Sequence, residues 1–194
     1  LKDFAAVGLL FRSGDDYIWK THSFVRKEFL DKYKLKPPIH EWEKKGLLTI
    51  VDEPTINPKH IIDWFIEAQK NYGLQKVVAD NFRMDLLRPL FEDAGIEYEV
   101  IKNTRAIQSL LAPRVEDMFA QHHLIFGDNP LMRWYTQNVA VKIRKDGNKE
   151  YEKKEPIRRK TDGFQALIHA LYRADDLKDS NLEEEINLLR GLRF

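Results

Sequence analysis

The chain changes its patterning once along its length, and this change limits the folds open to it more than any other feature. Residues 4–11 are an apolar run, Ser13-Gly14-Asp15-Asp16 carries turn chemistry, and residues 17–24 partly alternate apolar and polar side chains around Ile18 and Trp19. Those signals predict a β-hairpin. Further on, short helix and strand patterns alternate. A helix over 39–45 ends at Gly46, and a strand follows over 47–51. A helix opens at Asn57-Pro58, carries Ile61, Ile62, Phe65 and Ala68 on one face, and stops at Gly73. Residues 77–79 then read as a buried strand delivering Asp80, followed by a helix over 84–94, a strand over 98–101 and a helix over 107–121 that Pro113 is expected to bend. A strand at 124–126, a helix over 131–138, a hairpin of 139–144 with 151–156 around Asp146-Gly147-Asn148, and a helix over 163–174 complete the pattern. Antiparallel strands followed by helix–strand alternation predict an α/β domain whose sheet mixes both strand directions.

With 194 residues and 43% hydrophobic content, the chain can build one domain with a real core. We expect residues 1–175 to form it and 176–194 to be a helical tail. Lys plus Arg number 32 against 31 Asp plus Glu, so any nucleic-acid contact must come from local clustering. The absence of cysteine removes thiol nucleophiles, thiolate metal sites and disulfides together. No apolar run approaches the roughly 20 residues that span a bilayer, so no membrane association is expected. The chain opens on Leu1 and is expected to be cut from something longer.

Two carboxylates stand where chemistry could sit. Asp80 lies at the C-terminal end of a short strand, where open α/β sheets place their sites. Asp162 precedes the last helix. Each is also explained by a helix cap or a turn, but as a pair from distant segments they could hold Mg²⁺, which takes one or two carboxylates and keeps waters and phosphate. Between them, Lys142, Arg144, Lys145, Lys149, Lys153, Lys154, Arg158, Arg159 and Lys160 face four anions, Asp146, Glu150, Glu152 and Glu155. That excess suits phosphate contact, although a solvated hairpin is charged too. His122, His123 and His169 read as surface or packing residues, and the four tryptophans as core or partner-facing anchors. No phosphate-binding loop, dinucleotide fingerprint or nucleophile elbow occurs.

Taken in order, Asp3-Phe4-Ala5-Ala6-Val7, VVADN at 77–81, Trp134 to Asn138 before the Asp146-Gly147-Asn148 hairpin, and KTDGFQALIHAL at 160–171 resemble the nuclease domain of tailed-phage terminase large subunits. The resemblance implies an RNase H-like fold, a mixed sheet flanked by helices with a β-hairpin insertion near the C-terminus. It implies a metal-dependent endonuclease with two ions, Mg²⁺ or Mn²⁺, cutting DNA during packaging. By position, Asp80 and Asp162 are the family's second and third metal-binding aspartates. Asp3 matches an auxiliary acidic residue that approaches a metal in some members. The family's first strand and its carboxylate are expected upstream of Leu1. Lys142, Arg144, Lys145, Lys149 and Lys160 are expected to contact double-stranded DNA, Lys160 being equally compatible with an ion pair. The implied partners are the terminase ATPase domain, the small terminase subunit and the portal protein, in the host cytoplasm of a phage or prophage. A resolvase, an RNA-strand nuclease and a non-catalytic interaction module remain alternatives.

Overall fold

The computed structural model describes residues 1–179; the expected tail therefore lies, beyond residue 179, outside the described residues. Strands β1 (Phe4–Ser13) and β2 (Asp16–Arg26) form the expected hairpin, in antiparallel register from Phe4↔Val25 to Ser13↔Asp16. The other edge of β2 is shared by two strands parallel to it, β3 (Leu48–Val51) and β6 (Leu124–Ile125), giving a mixed four-stranded sheet. Strands β4 (Val77–Asp80) and β5 (Tyr98–Ile101) pair in parallel with each other. Strands β7 (Val139–Ile143) and β8 (Lys149–Lys153) form the second hairpin.

The side-chain alternation of the first hairpin builds two cores on opposite faces. Phe4, Tyr17, Trp19 and Val25 join one core, with α1 (Lys27–Lys32), α2 (Ile39–Lys44), α5 (Thr104–Ala120), α6 (Pro130–Gln137) and α7 (Asp162–Leu171). Ala5, Val7 and Phe24 join the other, with α3 (Pro58–Tyr72), α4 (Met84–Asp93) and strands β4 and β5. The boundaries of α3 follow from capping chemistry: Asn57 accepts from the Lys59 amide at 2.9 Å, and Gly73 ends the helix at φ +65°.

Three features go beyond the sequence expectations. Helix α5 begins at Thr104, capped by the Asn103 side chain, three residues ahead of the expected start. Helix α1 was not expected. The sheet is also not continuous: among the described residues no backbone hydrogen bond joins β1 to β4, and the two strands face one another across a groove. No helix among the described residues is long and apolar enough to cross a membrane.

Candidate active site in the groove between two strands

The groove has a volume of about 720 Å³. Strand β1 forms one wall, residues 73–80 the other, and α7 contributes Asp162, Gln165 and His169. Strand β4 delivers Asp80 at its end, as its apolar run predicts. Asp80 Oδ1 accepts from the Phe82 amide at 2.9 Å, so the turn-forming role is present and occupies one oxygen. Arg83, a little further along the chain, sits in the left-handed region at φ +59°, which non-glycine residues rarely adopt.

Asp162 is the first residue of α7, and the N-cap residue is Thr161, which makes no side-chain cap bond. The residue is partly exposed, but its Oδ2 is sealed from solvent and has no hydrogen-bond partner. Burial holds this carboxyl above the ordinary aspartate range, with Lys153 and Lys160 pulling the other way. A buried acceptor without a donor is costly, and a bound cation would satisfy it.

His169 is seven residues further on, two helical turns, and therefore on the same face of α7 as Asp162. It is buried and lines the groove. Burial lowers its pKa while the neighbouring Asp80 raises it. The helical spacing from Asp162 was the signal that could have singled out His169 in the sequence.

Asp80 and Asp162 thus share one groove, whereas Asp3 does not line it, although its charge helps raise the Asp162 pKa. Asp3 Oδ2 lies 2.6 Å from Lys160 Nζ. Lys160, expected on a DNA-facing surface, is 3% exposed, because its ammonium group is enclosed by Asp3 and by aromatic rings. Among the described residues no group of three or more His, Cys, Asp or Glu side chains could hold a metal ion. The donor set nevertheless suits a hard cation needing one or two carboxylates, with water and phosphate completing its shell. Asp162, with its unpartnered oxygen, and Asp80 are the residues that fit.

The second hairpin neutralises much of its own charge. Lys142 pairs with Glu152 at 2.9 Å, Arg144 with Glu150 at 2.8 Å, and Lys149 with Glu116 at 2.6 Å. Lys145 is exposed at the hairpin turn, and Lys153, at its base, lines the groove.

With a mixed α/β architecture and paired aspartates in a groove, the fold is that of phage terminase nucleases. It superposes on the large terminase of bacteriophage HK97 with a TM-score of 0.78, at 16% identity, over 89% of this chain and 37% of that one. The large terminase nuclease of thermophilic phage G20c superposes with a TM-score of 0.50, at 15% identity, over 62% of this chain and 63% of that one. At these identities the likeness establishes the RNase H-like fold alone, and the chain spans little more than a third of the HK97 protein. The family model described as terminase large subunit, endonuclease domain, matches residues 1–177, and the chain belongs to that family. No curated protein matches its sequence.

Proposed function

We propose that this domain is a divalent-metal-dependent DNA endonuclease that cuts concatemeric genome DNA during phage packaging, with Asp80 and Asp162 holding two ions, Mg²⁺ or Mn²⁺. One observation carries the reading: two aspartates far apart in sequence line the same groove, and one of them keeps a sealed oxygen without a donor. A bound divalent ion there supplies an acidified water and charge neutralisation at the phosphate. The chain's own residues hold the carboxylates and attract the substrate. Lys153 places a cation at the groove, and the exposed Lys142 can exchange its Glu152 partner for a phosphate.

In the cell, the ATPase domain, small subunit and portal are the proposed packaging partners, acting in the host cytoplasm.

The test is digestion of plasmid DNA, an RNA–DNA hybrid and a four-way junction side by side, with Mn²⁺ or Mg²⁺. The proposal expects plasmid cutting that Asp162→Asn and Asp80→Asn each remove. Parent-rate cutting by either variant, or cutting of the junction or hybrid alone, overturns it.

A further inference from the structure

Lys160 occupies an unusual place for an ammonium group, since lysine is almost never fully buried unless paired. Its Nζ lies 2.6 Å from Asp3 Oδ2, 4.5 Å from the centroid of the Phe29 ring and 5.8 Å from that of Phe4. Its backbone is held as well. The Lys160 carbonyl accepts from Asn138 Nδ2 at 2.8 Å, and Asn138 is itself fully buried. Both the main chain and the side chain of Lys160 are therefore anchored two residues before Asp162.

The opposite side of the turn is equally constrained. A Cβ added at Gly163 would lie 2.4 Å from the Tyr135 ring, so only glycine permits this approach. Tyr135 is fully buried and shares a 2.7 Å hydrogen bond with Ser23 of β2. The first turn of α7 sits between these two fixed points, with Lys160 two residues ahead of Asp162.

Stability alone does not explain a lysine here. Desolvation offsets much of what a buried ion pair returns, and an apolar residue of similar volume often stabilises as well or better. What the pair adds is a defined geometry linking the start of β1 to the entry of α7. We propose that Lys160 is a positioning residue that, through Asp3, holds the Asp162 carboxylate in its cutting orientation, and that it does not contact DNA. This inference rests on the nuclease reading of Asp162.

The experiment is a double-mutant cycle in the full-length protein, using Lys160→Met, Lys160→Arg, Asp3→Asn and the Asp3→Asn/Lys160→Met double variant. Plasmid cleavage gives kcat and KM, and calorimetric Mn²⁺ titration gives metal affinity. Lys160→Met is expected to lower kcat by about ten- to a hundred-fold, the scale of a misplacement of roughly 1 Å, with KM for DNA unchanged. Lys160→Arg should restore most of the rate, and the double variant should be no slower than either single one. Three results overturn the inference: a raised KM with a flatter salt dependence, which makes Lys160 a phosphate contact; additive losses, which uncouple it from Asp3; or parent kcat in Lys160→Met. A parent protein that does not cut DNA counts against the nuclease reading. The inference is then judged on Mn²⁺ affinity, which Lys160→Met must weaken and Lys160→Arg preserve.

Discussion

The groove and the second hairpin carry the two charge clusters of this domain, and they treat charge in opposite ways. On the hairpin, three of the cations expected to contact DNA already have carboxylate partners within 3 Å. In the groove, Asp162 keeps an oxygen with no donor at all. Exposed pairs such as Lys142–Glu152 exchange partners at little cost, although Glu150, the partner of Arg144, is buried, whereas a sealed, unpaired carboxylate oxygen is a standing penalty that a ligand can relieve. On the proposed reading, chemistry belongs to the groove and adjustable affinity to the hairpin. The number of charges in a segment is a poorer guide to function than whether those charges are already satisfied.

The largest expected effect breaks the groove. Removing either aspartate with Asp80→Ala or Asp162→Ala should lower kcat for plasmid cleavage by about a thousandfold or more, since a metal ion contributes several kcal/mol of transition-state stabilisation. DNA affinity should change little. Equal losses in kcat and DNA affinity would dissolve the division between the two regions.

The hairpin gives a smaller effect of another kind. Replacing Lys142, Arg144, Lys145 and Lys149 with Ala together should weaken binding similarly on all sequences and reduce the salt slope by about one for each phosphate that is no longer neutralised. At saturating DNA, kcat should hold. An unchanged slope would make the hairpin a solvated surface feature.

Smaller still is the effect of Asp162→Asn on the metal-free protein. Because burial raises the Asp162 pKa in the fold, the ionised form opposes folding as pH rises through that raised value. The variant should therefore melt higher than the parent at neutral pH. The advantage should vanish in acid below the ordinary aspartate range. A thermal scan at both pH values checks the sign.

Much of this was legible in the sequence where local chemistry decides. Asn57-Pro58 and Gly73 mark α3 because capping and a left-handed terminus are local requirements. The Val77-Val78-Ala79 run marks β4 by its unbroken apolar pattern, although only Val77 is buried. What was not legible depended on distant partners. Lys160, in a basic segment, reads as exposed, and only the rings of Phe4 and Phe29 bury it. His169 reads as packing until β4 brings Asp80 beside it. Helix α1 has only six residues, too short for a periodic pattern to emerge after a long strand. The family resemblance supplied the expected pairing of Asp80 with Asp162, which neither residue's surroundings in sequence could establish alone.

The central question is whether Asp80 and Asp162 both take part in binding divalent metal in the groove. Calorimetric titration of Mn²⁺ into the full-length protein and into Asp80→Asn and Asp162→Asn measures this without DNA. The account predicts saturable binding by the parent that each variant removes or greatly weakens. Parent affinity retained in both variants would place the metal elsewhere and contradict it.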